Sequence, residues 1–516
     1  MRDRGRLDRG VLVISSVVVL GSFMSILDAT IVNVALASLS RELHSALHTI
    51  QWVATGYLVA LAVVIPMTGW ASERFGAKQL WLSVVALFVV GSALSGLAWS
   101  AESLIVFRVL QGLGGGMIIP AGMTILAETA GPQRVGRVMS VVGVPMLLAP
   151  VIGPVLGGVI LAQLSWHWIF YVNVPIGILA LVLGTRLLPR SQPKPCDRLD
   201  LRGLLLLSPA LAGISFGLSE TAGSGGFTSA AAWVPIAAGV ALVAAFVRHA
   251  LRLRGRQPLL DLTLFRSGAF AAAAVTVLLI GAAIFGGLLL LPLYFQVDRG
   301  AGPLATGLLL APQGLGAALA MPISGRLTDR VGGGGVTLLG LVVMTAATVP
   351  LALAGAHTSY LVTSTILFVR GIGQGFSLMP AMAAAYQTIA RAAVPRATTA
   401  LNAIQRIGSS IGTAALAVVL EAQIKGGGLA DVPGLSDGSV TPLSAGERAR
   451  IATPLAHAFD HTFWWTVAFT AVAIAPAVVS VSKTTKRPML RARRLQGVRG
   501  RQAQPSTIGL PPGRGG

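Results

Sequence analysis

Three polar side chains stand inside long apolar stretches of this chain: Asp28, Arg108 and Gln111. An ionisable group at such depth is expensive and marks a functional site by default. A carboxyl in lipid can exchange a proton, because burial favours its neutral form and a nearby guanidinium favours its charged form. Asp28 is placed about eight residues below one end of its helix and Arg108 about five below the same end of its own, so the two can meet. Gln111 follows Arg108 by about one turn on the same helix face. The chemistry on offer is the capture of a proton at Asp28 in exchange for a cationic substrate, with Arg108 tuning the acid. The plainer reading is a permanent Asp28–Arg108 pair that locks two helices together.

Other residues offer different chemistry. Glu421, at the expected outer end of a later helix, is either an interfacial acid or a second acid in an outward vestibule. Glu73, Arg74, Glu128, Arg134 and Arg137 fall in neighbouring polar loops and form a candidate charge cluster. Such a cluster can be made and broken, as a gate requires. Gly153, Gly157 and Gly158 form a small-residue stripe for close helix packing. Pro150 and Pro154 beside it favour a kink. The pairs His44/His48 and His457/His461, the second flanking Asp460, have i, i+4 spacing but lack a full ligand set, and chance accounts for them. No metal or cofactor is expected. Not one of the five Lys follows a Gly, so no phosphate-binding GK[ST] loop is present and ATP is not the direct energy source. The single Cys196 excludes a disulfide framework within the chain.

The elements that hold these residues follow from composition. Of 516 residues, 54% are hydrophobic and only 11% charged, against about 25% charged in soluble domains. That excludes a soluble enzyme. Continuous apolar runs of helical length predict fourteen membrane helices, near 11–37, 50–70, 79–99, 103–127, 138–163, 167–188, 201–219, 230–250, 269–295, 303–325, 335–355, 360–387, 399–421 and 462–482. The first run is too long for a signal peptide and reads as an uncleaved helix. With the N-terminus inside, thirty-one of the 39 Lys and Arg fall on the inner side, which predicts an even helix count and both termini in the cytoplasm. The net charge of +21 therefore reads as topology and anionic-lipid contact, not nucleic-acid binding.

The chain also repeats itself. Gly69, Glu73, Arg74 and Gly76 recur as Gly325, Asp329, Arg330 and Gly332, and Arg108-Val-Leu-Gln111-Gly112 is echoed by Arg370-Gly-Ile-Gly-Gln374-Gly375. Two six-helix halves, 11–190 and 268–482, explain both echoes. They leave a linker, 191–267, with two further helices, a short tail at 1–10, and a basic tail at 483–516 read as unstructured. Parallel repeats of this kind mark secondary transporters, with the substrate between the halves.

These residues resemble the major facilitator superfamily, and within it the fourteen-helix drug:proton antiporters. Leu27-Asp28-Ala29-Thr30-Ile31-Val32-Asn33-Val34-Ala35-Leu36 is similar to that family's first-helix motif, with Ala37 where Pro is usual. Residues 69–78 resemble its loop motif between helices 2 and 3, with Glu73 for Asp. Arg108, Gln111, Gly112 and Gly114 match its fourth-helix motif. Gly153, Pro154, Gly157 and Gly158 match the fifth-helix antiporter motif, with Ala149 for Gly. Trp166-His167-Trp168 through Asn173, Pro175 and Gly177 resembles the start of helix 6, with His167 for Arg. The resemblance covers about residues 10–482. It implies an all-α fold of two six-helix bundles plus two linker helices, and a proton-coupled exporter of lipophilic, often cationic drugs in the cytoplasmic membrane. A metabolite carrier or importer on the same fold, or a membrane sensor, are the alternatives. Asp28 is expected at a cleft between the bundles.

Overall fold

The computed structural model describes residues 9–131, 134–191, 193, 198–220, 229–253, 258–354, 358–426 and 445–502. The first half comprises α1 (Arg9–Glu42), α2 (Leu47–Val64), which a 3-10 turn joins to α3 (Thr68–Phe75), then α4 (Ala77–Gly96), α5 (Ala101–Ala130), α6 (Val135–Gln163) and the short α7 (Trp168–Tyr171) leading into α8 (Asn173–Leu187). Two helices follow, α9 (Leu201–Glu220) and α10 (Ala230–Arg252). The second half holds α11 (Gly268–Leu293), which ends in a π-turn over Tyr294–Asp298, then α12 (Pro303–Val331), α13 (Gly333–Thr348), α14 (Tyr360–Gly375), α15 (Leu378–Gln387), α16 (Val394–Gly426) and α17 (Ala445–Gln502).

Among the described residues, 13 helical segments are long and apolar enough to cross a membrane. The 29 residues of α6 supply the fourteenth expected crossing. Helices suit lipid because every backbone donor finds its acceptor within the segment. The Ser and Thr hydroxyls obey the same rule. Those of Ser15, Ser22, Thr124 and Ser140 donate to the carbonyl four residues back. At the start of α5, Ser100 and Ser103 cap the helix reciprocally.

The sequence repeat has a backbone meaning. Gly76 ends α3 at φ 87° and Gly332 ends α12 at φ 90°, a region in which a side chain is strained. Each opens the next helix at once, so the two halves turn identically at one face of the membrane. That face also carries Arg9 and is called here the N-terminal face. Buried apolar residues form one cluster spanning both halves toward it, from Val17, Trp81 and Leu126 to Met379 and Leu401. At the opposite, far face they divide into two separate clusters, one around Ile31, Leu39 and Phe170 and one around Leu290, Tyr294 and Phe459. The halves thus share one apolar cluster at the N-terminal face and have separate ones at the far face, while α6 and α12 pack along one another between them, with Gly314 against Leu148 and Gly307 against Val155. The linker helix α9 packs against α2 and α16, with Leu207 and Leu211 against Ala62 and Ala403.

Some expectations need correction. The last membrane helix begins well before residue 462, because Leu455, Ala458 and Phe459 pack against the end of α11. His457 and His461 consequently lie on a helix and not in a loop, and both are exposed. The helical backbone continues to Gln502, where an unstructured tail was expected from 483. Its many Arg are good helix formers, and residues 503–516 lie outside the described residues. Trp81, near the start of α4, is wholly buried, since Gly21, Gly122 and Gly184 leave room for its ring.

Both turn glycines are testable. Gly332→Ala meets open space and should cost about 1–2 kcal/mol of backbone strain. Gly76→Ala should cost more, because its added carbon would lie 2.9 Å from the Ser191 carbonyl oxygen. Thermal unfolding midpoints in detergent should fall in the order wild type, Gly332→Ala, Gly76→Ala, and equal midpoints would contradict this account of the turns.

Candidate functional site

Asp28, Arg108 and Gln111 do meet. Arg108 Nη1 donates to Asp28 Oδ2 at 2.6 Å and to Gln111 Oε1 at 2.7 Å, and Gln111 Nε2 donates to Asp28 Oδ1 at 2.9 Å. Two further groups complete the network. Asn173 Nδ2 donates to Asp28 Oδ1 at 2.8 Å and to Ser92 Oγ at 3.1 Å. Arg108 Nε donates to the Val53 carbonyl at 3.2 Å, and its guanidinium lies 4.1 Å from the centre of the Tyr57 ring. The interaction thus joins α1, α2, α4, α5 and α8. Both Asp28 oxygens accept hydrogen bonds.

The expected placement of Asp28 at a cleft between the halves is not what the structure has. Asp28 is 0% exposed and Arg108 1% exposed, inside the first half. The reason lies in α8 and α2, whose Asn173 and Tyr57 close over the pair. Asn173 belongs to the motif at the start of helix 6, but its spacing from Asp28 in sequence hides the contact.

The second half repeats the cation without the acid. Arg370 Nη1 donates to Gln313 Oε1 at 3.0 Å and Arg370 Nε to Thr348 Oγ1 at 3.3 Å, while Gln313 Nε2 donates to Gln374 Oε1 at 2.9 Å. Among the described residues Arg370 pairs with no carboxylate. The halves therefore share a scaffold but differ in charge.

At the N-terminal face the repeat elements cross over. Glu73 takes a bidentate bond from Arg396, at 2.7 and 3.0 Å, and Arg137 donates to Asp329 at 2.6 Å. Among the described residues, both ion pairs that join the halves lie at this face. The Gly69 backbone sits against Thr399 and Arg396, and that of Gly325 against Ser140 and Arg137, too close to admit a larger residue freely. Each half thus offers an acid and a glycine to an arginine at the start of a helix in the other half. Arg396 escaped the sequence reading because it looks like one more basic loop residue. The matching Val-Gly-Arg137 and Val-Pro-Arg396 is the signal that could have found it.

The remaining expected residues are placed as follows. Arg74, Arg134 and Arg330 are exposed, and Glu128 is half-buried on α5. Glu421 accepts from Lys425 at 2.6 Å on the same helix. Gly153 and Gly157 face α1 at Thr30 and Ile31, within the first half, whereas Gly158 faces open space. Pro154 lies in α6, its side chain outside the described residues. Among the described residues no group of three or more His, Cys, Asp and Glu could hold a metal ion.

Two similar helical halves, fused at one face and each built on a buried arginine, define a membrane carrier. Residues 18–413 match the family model described as Major Facilitator Superfamily, and the chain belongs to that family. It is accordingly a multi-pass membrane transporter and not an enzyme. It is 41% identical over 470 residues to the multidrug resistance protein B homolog of Mycobacterium tuberculosis, covering 89% of this chain and 87% of that protein. It is 31% identical over 420 residues to the tetracenomycin C resistance and export protein of Streptomyces glaucescens, covering 79% of this chain and 75% of that one. Among solved structures, the proton:xylose symporter XylE shares the fold, with a TM-score of 0.59 at 14% identity, over 90% of this chain and 94% of that chain.

Removing one partner from a buried ion pair leaves a bare charge, at a cost of about 3–5 kcal/mol. Asp28→Asn and Arg108→Gln should each lower stability by that order, and the double variant should regain more than half of the loss. Additive losses in thermal unfolding would show that the two residues act separately.

Proposed function

We propose that this chain exports lipophilic, often cationic drugs or antibiotics from the cell in exchange for protons, by alternating access. The single observation that carries this reading is the pair of crossed ion pairs at the N-terminal face, with separate cores at the far face. The crossed pairs close the N-terminal end, and at the far end no ion pair joins the halves among the described residues. The excess of Lys and Arg assigns the N-terminal face, and both termini, to the cytoplasm. The state described here is then closed inside and poised toward the outside. The named resistance and export functions of the two relatives support drug-class substrates.

Coupling rests on the same electrostatics. Protonation of Asp28 removes one of the charges that holds Arg108, Gln111 and Asn173 in a single arrangement. The freed Arg108 draws on α2 and α5, and α3 at the end of the α2 crossing carries Glu73 to the gate. A proton on Asp28 and an intact Glu73–Arg396 pair are thereby linked through one rigid segment. Gly69, Glu73, Gly76, Arg137 and Asp329 form the gate proper, and Arg74, Arg134 and Arg330 stand at its solvent rim.

The test is uptake of the dye ethidium by inside-out vesicles under an imposed pH gradient, interior acid. Wild type should concentrate the dye and lose this ability when the gradient is collapsed. Asp28→Asn, assayed as folded protein, should lose gradient-driven uptake by at least tenfold. Wild-type uptake that ignores the gradient, or a variant that remains fully gradient-driven, would remove proton exchange at Asp28 from the account.

A further inference from the structure

Asp28 has a donor for each of its oxygens, but a second buried acid has none. Asp298 ends the π-turn that follows α11 and is 5% exposed, and neither of its carboxylate oxygens has a hydrogen-bond partner. Asp460, half-buried on α17, lies within electrostatic reach of Asp298, and its Oδ1 is buried without a partner. The two are brought together by aromatic packing. The Tyr294 ring stands edge-on to Phe459 and Phe463, each 5.7 Å away; Asp460 follows Phe459, and Asp298 closes the π-turn that Tyr294 opens. The buried Tyr294 hydroxyl opens on the same place, near Arg299 but without a hydrogen bond of good geometry.

On α16, whose Leu420 and Ile424 pack in the same apolar cluster, Glu421 and Lys425 pair with each other. Arg299 is the cation of the cluster, but it is drawn aside. Its Nη2 donates to the Thr358 carbonyl at 2.6 Å and its guanidinium lies 4.8 Å from the centre of the Tyr360 ring on α14. Among the described residues it forms no ion pair with Asp298. His457 and His461 on α17 are exposed, and the neighbouring part of α12 carries no titratable group. His357 lies outside the described residues. Among the described residues, two carboxylates and one guanidinium meet here in a buried setting, and neighbouring like charges do not both ionise readily.

We infer that Asp298 and Asp460 form a second proton-binding site, which takes up one proton from the far face and shares it between the two carboxyls. The proton bonds to one carboxylate oxygen, which leaves a single negative charge on the two acids for Arg299 to balance. Both acids lie in the third of the membrane nearest the far face, Asp298 at the end of its crossing and Asp460 near the start of its own. In a state closed at the N-terminal face, this is the end from which a proton arrives. The inference rests on the proton exchange proposed above and assigns the loading of that proton to the second half.

The test uses the full chain in liposomes, with two readouts. Infrared difference titration should reveal in wild type a protonated carboxyl that titrates. Asp298→Asn and Asp460→Asn should each abolish it, Asp28→Asn should keep it, and Asp298→Glu should restore it. Ethidium transport driven by a pH gradient should fall at least tenfold in both Asn variants. A band that persists in both variants overturns the site, and a lost band with unchanged gradient-driven transport overturns its part in coupling. Should one variant fail to fold, the other decides by the same criteria. If wild type shows the band but no gradient-driven uptake, the antiport reading fails and the second site stands on the infrared result alone.

Discussion

A charge inside hydrocarbon must have a partner, and the arrangement of this protein follows from how that demand is met. Asp28 and Arg108 satisfy each other at 2.6 Å. Their remaining valences reach Gln111, Asn173 and the Val53 carbonyl, so one interaction fixes the mutual positions of four membrane crossings. Any event that changes the charge of either partner must be felt by all of them. That is the property a carrier needs in order to convert a proton into a movement.

The duplicated architecture divides this work. Both halves keep the arginine and the glutamine, the turn glycine of positive φ, and the acid and glycine that dock on the opposite half. Duplication makes the gate symmetric, with Glu73 on Arg396 and Asp329 on Arg137. The charge has diverged. The first half holds a paired acid beside its arginine, whereas the second holds its arginine among amides and a hydroxyl, with Asp298 and Asp460 away from it near the far face. A symmetric frame with asymmetric charge can rock as a whole while proton chemistry proceeds at different depths in the two halves.

Much of this was legible in the sequence, and the reasons are physical. A membrane helix is a long apolar run, so the order and number of crossings can be read directly, and the repeat of Gly69 to Gly76 at Gly325 to Gly332 reveals the two halves. The depth of Asp28 and Arg108 along their helices suffices to pair them. What depth does not tell is the angle about the helix axis, and that angle places Asp28 inside the first half and not at a cleft. Arg396 was invisible because a basic residue at the inner face has an ordinary explanation in topology. Asp298 and Asp460 each stand at the end of an apolar run and look interfacial. Only the packing of Tyr294 on Phe459 and Phe463 brings them together. Trp81 shows the converse, since a tryptophan near a helix end looks interfacial until three glycines on neighbouring helices make it a core residue.

The central claim is that the crossed ion pairs hold the N-terminal face shut, and that releasing them exchanges which face is open. Pulsed electron resonance between spin labels measures this most directly. With Cys196 replaced by Ser, labels at Arg74 and Arg330 report the N-terminal face, and labels at the exposed Trp99 and Leu353 report the far face. In Glu73→Gln/Asp329→Asn the first distance should lengthen and the second should shorten, relative to the same labels with the gate intact. Distributions that do not change at either face would contradict the account.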